Sequence, residues 1–216
     1  MSLYIVATPI GNLEDLSPRA VETLKKVDFI LAEDTRVTKK LLSHFNIKTK
    51  TISYHQHSKI ERLNKILNLL RKGNNLALVS DSGTPGISDP GNKLIAEISR
   101  ELEIKIIPIP GPSALTSLAS VSGFPMDKFL FLGFPPKKRK REKFFQKIKK
   151  SKIPVIVYES PHRITKTLKE LPREREIVVG RELTKIHETI YRGKPEEVLN
   201  QLKEKGEFTI IINKGE

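Results

Sequence analysis

Four short segments combine glycine, proline, carboxylates and hydroxyls in a way that suits the capture of a small molecule. They are Thr8-Pro9-Ile10-Gly11-Asn12-Leu13, Glu33-Asp34-Thr35-Arg36, Asp81-Ser82-Gly83-Thr84-Pro85-Gly86-Ile87-Ser88-Asp89-Pro90-Gly91 and Pro110-Gly111-Pro112-Ser113-Ala114. The third is the most informative. Its glycines let a ligand approach the main chain, and its prolines fix the path of the loop. The alternative is a plain turn in which Asp and Ser serve as caps. Candidate proton acceptors are Glu33, Asp34, His55, Glu159, His162 and Glu182. Each also has a structural reading: Glu33-Asp34-Thr35-Arg36 as a helix cap with an internal ion pair, His162 as a cap after Pro161. Arg36, Arg163, Arg181 and Lys185 suit phosphate groups, because arginine presents a planar fork of donors. They equally suit ion pairs with Glu33, Glu159 and Glu182.

The elements that must position these loops alternate along the chain. Strand patterns are expected at 3–8, 28–32, 50–53, 76–80 and 104–109, and helix patterns at 19–26, 35–45, 58–71 and 91–102. Ser17-Pro18 supplies an N-cap followed by proline at the first helical position. Between Ser58 and Arg71 apolar residues recur at 60, 63, 66, 67 and 70, a helical spacing. Such alternation implies a parallel sheet covered on both faces. The four ligand-type loops each follow a strand, so they should meet at the carboxyl edge of that sheet, where open α/β sheets bind ligands. A helix at 112–121 leads to a second unit, with strands expected at 129–132, 154–159, 176–182, 187–191 and 208–213 and helices at 141–150, 164–171 and 195–204. The last three strands have short connections suited to antiparallel pairing. The expected architecture is α/β, with two lobes at 1–111 and 112–216.

Charge narrows the partner. Of the formal net charge of +14, the stretch Lys137–Lys152 carries +9, from ten basic residues and Glu142. A general enrichment in lysine and arginine would spread more evenly, so the concentration favours a polyanion over a merely solvated face. Other chemistries are absent from the sequence. With no cysteine there is no disulfide, thiolate metal site or cysteine nucleophile. Neither a P-loop nor a G-x-G-x-x-G dinucleotide loop occurs. The five histidines have no zinc-type spacing beyond His55-Gln56-His57, so no metal is expected. The first residues lack a basic segment followed by an apolar one, and no run approaches the roughly 18 apolar residues of a membrane span. A cytoplasmic protein is expected.

The four loops, together with Ser53-Tyr54-His55, Tyr158-Glu159-Ser160-Pro161-His162-Arg163 and Arg181-Glu182-Leu183-Thr184-Lys185, occur in register between about residues 3 and 213. The series resembles the tetrapyrrole-methylase (class III methyltransferase) superfamily, and within it the bacterial small-subunit rRNA cytidine 2′-O-methyltransferases. Many of those relatives extend beyond the strand corresponding to Phe208–Asn213, so any RNA contact that such an extension would provide is not carried over by the resemblance.

The resemblance implies a homodimer of two α/β lobes that binds S-adenosylmethionine in a cleft between the lobes. It assigns Pro9, Asp81, Ser82, Gly83, Ile87, Ser113, Ala114, Tyr158 or Glu159, Leu183 and Thr209 to the cofactor. Of the candidate proton acceptors and cations, Glu33, Arg36, Glu159 and His162 are expected to serve catalysis. RNA contacts are expected from Lys137, Lys138, Arg139, Lys140, Arg141, Arg163, Arg181 and Lys185. The expected reaction is methylation of a cytidine ribose hydroxyl in 16S rRNA of the small ribosomal subunit. Two readings compete with it: methylation of a small tetrapyrrole or corrin precursor on the same fold, and non-catalytic RNA binding.

Overall fold

A computed structural model describes residues 1–55 and 60–215. It divides into two compact units, Met1–Ser113 and Ala114–Glu216. The division falls two residues beyond the expected 111/112 boundary, immediately ahead of the helix that starts at Ala114.

The first unit holds a five-stranded parallel sheet: β1 (Ser2–Val6), β2 (Phe29–Ala32), β3 (Lys50–Ser53), β4 (Leu76–Val79) and β5 (Lys105–Ile109), in the order β3-β2-β4-β1-β5. β4 is apolar at every position and buried throughout, as a strand covered on both faces must be. Helices α1 (Pro18–Lys26), α2 (Thr35–His44), α3 (Ile60–Arg71) and α4 (Asn92–Glu101) alternate with the strands. Ser17 caps α1 by accepting the Ala20 amide at 3.1 Å, and Pro18 stands in its first turn. Two apolar clusters form the core. Leu24, Ile30, Leu42 and Val79 belong to one, and Leu31, Ile66, Leu70, Leu94 and Ile98 to the other. The expected helix over 58–71 is described from Ile60 onward; Ser58 and Lys59 lie outside the described residues, as do Gln56 and His57 of the histidine pair.

The second unit begins with α5 (Ala114–Ser120) and carries β6 (Leu130–Phe131), β7 (Val155–Glu159), β8 (Ile177–Arg181), β9 (Thr189–Gly193) and β10 (Phe208–Ile212), ordered β6-β7-β10-β8-β9. β6 runs parallel to β7; β10 pairs antiparallel with both β7 and β8, and β8 with β9. The expected strand at 187–191 is displaced to 189–193 because residues 182–188 form a built turn: Thr184 donates its amide to Glu188 at 2.6 Å, and Glu182 and Thr184 have φ of 52° and 64°. Helices α6 (Arg141–Lys150), α7 (Ile164–Glu170) and α8 (Pro195–Gln201) complete the unit. Phe145, Ile148, Val157, Leu168, Val179 and Ile210 lie in its core. No buried side-chain polar atom among the described residues lacks a hydrogen-bond partner.

Candidate active site

All five strands of the first sheet are parallel, so the loops after β1, β2, β4 and β5 emerge on one edge. Direct bonds tie them to one another. Thr8 and Gly83 form an antiparallel bridge, with the Thr8 amide donating to the Gly83 carbonyl at 2.9 Å and the Gly83 amide returning to Thr8 at 3.1 Å. The buried Thr8 hydroxyl also donates to the Ser80 carbonyl at 3.1 Å. The Asp34 amide donates to Asp81 Oδ1 at 3.0 Å, and Thr84 Oγ1 donates to the Pro112 carbonyl at 3.3 Å. Gly83 has φ of 82°, the left-handed region that favours glycine. At Gly111 an added Cβ would stand 3.0 Å from the Ala7 side chain, so the β5 loop lies tight against the end of β1. The 81–91 loop is therefore not an isolated turn. It is stitched to three other strand ends.

Three carboxylates gather on this edge. Burial, then Glu33 and Asp81, push Asp89 up to about 7. Burial and then Asp81 push Glu33 above the usual carboxylate range. Mutual repulsion in a partly desolvated site penalises the ionised forms. Asp34 behaves oppositely: the Arg36 guanidinium, hydrogen-bonded to it at 2.6 Å, holds it down at about 2. Asp34 also caps α2 through the Arg36 amide at 2.8 Å. Arg36 is thus engaged within its own turn, although its side chain remains exposed. Pro9 is half-buried, Asp81, Ser82 and Ile87 are exposed, and Gly83 is buried, all on this edge. Ser113 and Ala114, both half-buried, flank the division between the units.

In the second unit the structure revises several expectations. Glu159 sits at the end of β7 with a fully buried side chain. Thr167 Oγ1 donates to its Oε2 at 2.5 Å, and the Ser160 amide and Arg163 Nη2 both reach its Oε1 at 2.8 Å. A carboxylate enclosed in this way does not present an oxygen to a substrate, so Glu159 is a structural anchor rather than a catalytic base. Arg141 is buried too. Its Nε donates to Glu170 at 2.7 Å and its Nη2 to Thr167 at 2.8 Å, so it is withdrawn from the basic surface. The same correction holds for Arg181, which is buried and donates to the carbonyls of Lys205 at 2.6 Å and His187 at 2.9 Å. Lys185 bridges Glu182 and Glu207 at 3.0 and 2.9 Å. His162 is exposed in the turn before α7, and Arg163, not His162, occupies the cap position. Tyr158 is half-buried and packs edge-on to Phe131 at 5.0 Å; Leu183 and Thr209 are buried. Lys137, Lys138, Arg139 and Lys140 are exposed.

Sequence reasoning passed over Asp89 as an individual site residue. The available signal was its place in the same glycine-proline loop as Asp81. Thr167, Glu170 and Arg175 left no comparable trace. Among the described residues no group of three or more His, Asp or Glu is arranged to hold a metal ion, and no helix is long and apolar enough to cross a membrane.

Fold and edge together define an α/β protein with a ligand-type edge at its strand ends, and comparison with known proteins gives its family. The tetrapyrrole (corrin/porphyrin) methylases match residues 2–199, and the chain belongs to that family. It is 49% identical to a protein of Synechocystis named ribosomal RNA small subunit methyltransferase I, over 97% of this chain and 78% of that one. It is 44% identical to the Thermotoga maritima protein of the same name, over 98% and 97% of the two chains. Among solved structures, diphthine synthase superposes with a TM-score of 0.77 at 12% identity, covering 99% of this chain and 90% of that one. A cobalt precorrin-4 methyltransferase superposes with a TM-score of 0.70 at 16% identity, covering 98% and 94%. At those identities the superpositions speak for the fold alone.

The methyl donor of this family is S-adenosylmethionine. The residues on the edge fit it. The donor carries a sulfonium, an ammonium and a carboxylate, a net single positive charge, and a cation beside Glu33 and Asp89 would favour their ionised forms, which burial and neighbouring carboxylates disfavour.

Proposed function

We propose that this protein transfers a methyl group from S-adenosylmethionine to the 2′-hydroxyl of a cytidine ribose in 16S rRNA, as a homodimer in the cytoplasm. Support for the RNA substrate comes from relatives with that printed role along nearly the whole chain. The observation that carries the reading is the basic surface. Lys137, Lys138, Arg139 and Lys140 are exposed and make no ion pair among the described residues. On α6, Lys143, Lys147 and Lys150 line a hollow of about 430 Å³ with Leu130, Gln146 and Ser151. A surface of unpaired cations grips a phosphate backbone without reading bases.

The donor supplies an electrophilic methyl on a sulfonium when bound. The chain's own task is to align and deprotonate the acceptor. Holding nucleophile and methyl in line supplies most of the acceleration. Asp81 and Asp89 stand as the anionic partners of the cationic donor. Glu33, held above the ordinary carboxylate range, would take the proton of the ribose hydroxyl as that hydroxyl's oxygen displaces the thioether from the methyl carbon, the sulfur leaving with the electron pair of the broken C–S bond. A positioned base of this kind contributes roughly 10²–10⁴-fold. Arg36, paired with Asp34, holds the turn that presents Glu33.

The test offers labelled donor with bare small subunits of cells lacking the protein and, in parallel, with a corrin precursor, identifies any modified nucleotide by nuclease digestion and mass spectrometry, and measures donor and RNA binding by calorimetry. Label in a 2′-O-methylcytidine supports the reading. Label in a corrin precursor and none in RNA points to the small-molecule methylase. RNA binding without donor binding points to a non-catalytic protein.

A further inference from the structure

The interior of the second unit contains a charged network that the chemistry above does not use. At its centre is the Glu159 carboxylate, buried at the end of β7. Thr167 Oγ1, on α7, links it to Arg141 Nη2, donating to Glu159 at 2.5 Å and accepting from the arginine at 2.8 Å. Arg163 Nη2 contacts the other carboxylate oxygen at 2.8 Å. Each arginine then spends a further nitrogen on the main chain of a single segment. Arg141 Nη1 donates to the Pro136 carbonyl at 2.9 Å, and Arg163 Nη1 to the Pro135 carbonyl at 2.7 Å. Glu170 fixes Arg141 from the other side at 2.7 Å.

The place of those two carbonyls decides the meaning. Prolines have no amide hydrogen, so Pro135 and Pro136 offer the surrounding protein only their carbonyls. Both are held by charged donors, the stronger class of hydrogen bond. The next residues are Lys137, Lys138, Arg139 and Lys140, all exposed, and Lys140 turns the chain into α6 with φ of 67°. The basic loop is therefore clamped at its root by Pro135 and Pro136, and at its far end by Arg141, a member of the same network. Burying a carboxylate and an arginine, with a second arginine half-buried beside them, costs desolvation energy, which an apolar core would avoid. What the arrangement supplies is a fixed geometry for the loop.

We propose that the Glu159–Thr167–Arg141–Arg163 network is a positioning device that holds the 137–140 loop in the orientation that receives the RNA backbone. The inference rests on the RNA reading of that loop. Thr167 is the residue to test, because its hydroxyl alone bridges Glu159 and Arg141. Thr167→Val keeps shape and removes the bridge, while Thr167→Ser keeps the hydroxyl. Arg163→Lys, at a partly exposed site, keeps charge and removes the fork, and it decides the matter if Thr167→Val does not fold.

Three measurements are made on the full chain: tryptic cleavage within 137–140 mapped by mass spectrometry, KM for bare small subunits against kcat, and donor affinity. Loss of the Thr167 bridge that fixes Arg141, or of the Arg163 fork that holds Pro135, is expected to speed cleavage in the loop by about tenfold. KM for the subunit should rise several-fold, with kcat and donor affinity unchanged, and Thr167→Ser should match the parent. Unchanged cleavage in folded Thr167→Val and Arg163→Lys overturns the proposal. So does cleavage that accelerates equally throughout the chain, which marks a merely structural role. Faster loop cleavage with an unchanged KM overturns its RNA part. If neutralising Lys137–Lys140 also leaves KM unchanged, the RNA reading of the loop has itself failed.

Discussion

Replacing Asp89 by asparagine tests the electrostatics of the donor edge. Burial, Glu33 and Asp81 together raise the Asp89 carboxyl to about 7. A cationic donor beside it binds best to the ionised form, so donor affinity scales with the ionised fraction. That fraction rises from roughly 3% at pH 5.5 to about half at pH 7. Affinity for S-adenosylmethionine should therefore rise by about fifteenfold across that interval, with uptake of the donor releasing a proton. The interval lies below the usual α-amino titration near 7.7–8.0, so the donor's own ammonium contributes little. The neutral thioether product, lacking the sulfonium, should show a shallower dependence. Asp89→Asn should flatten the curve. The stability of the unliganded protein has the opposite sign. Because the folded state binds the Asp89 proton more tightly than the unfolded chain, stability falls as pH rises from about 4 to 7. The full shift corresponds to at most about 4 kcal/mol, and solvent screening at this partly exposed group brings it to about 1–2 kcal/mol. Asp89→Asn should regain that amount at pH 7.5. Calorimetric titration from pH 5.5 to 7 and thermal melts at pH 4.5 and 7.5 measure both. A donor affinity independent of pH in the parent protein would refute the reasoning.

Glu33→Ala should lower turnover by at least a hundredfold, the low end for a general base, and leave the melting temperature unchanged or raised, since it removes a repulsive charge from Asp89; full single-turnover activity would remove Glu33 from the mechanism. Neutralising Lys137, Lys138, Arg139 and Lys140 together should weaken subunit binding and flatten the slope of log affinity against log salt by roughly 3, about 0.7–0.9 for each phosphate no longer neutralised, with donor affinity unchanged. Arg175→Ala should destabilise the protein by about 3 kcal/mol in denaturant melts, because the buried guanidinium donates to the Ile148 carbonyl at 2.9 Å and the Ser151 carbonyl at 3.2 Å, which would be left without it.

The strand-helix alternation was legible because it depends on local periodicity. The convergence of four loops on one edge followed from it by a topological rule, since parallel strands share a carboxyl end. What the sequence concealed was the direction in which charged side chains point. Arg141 and Lys140 are neighbours in one basic run, yet Lys140 is exposed and Arg141 is buried against Thr167 and Glu170. The two residues that draw Arg141 inward stand 26 and 29 positions further on. No composition or spacing within 137–152 registers them. Glu159 was concealed likewise: a carboxylate at a strand end reads as catalytic until Thr167 and Arg163 are seen to enclose it. Asp89 is the converse case, for its altered titration comes first from burial, then from Glu33 at the end of β2 and Asp81 earlier in its own loop. Charged groups differ in this respect from apolar ones. A leucine buries itself against whatever apolar surface is near, so its pattern predicts its fate. A buried charge needs a particular partner, and that partner is found through the fold rather than along the chain.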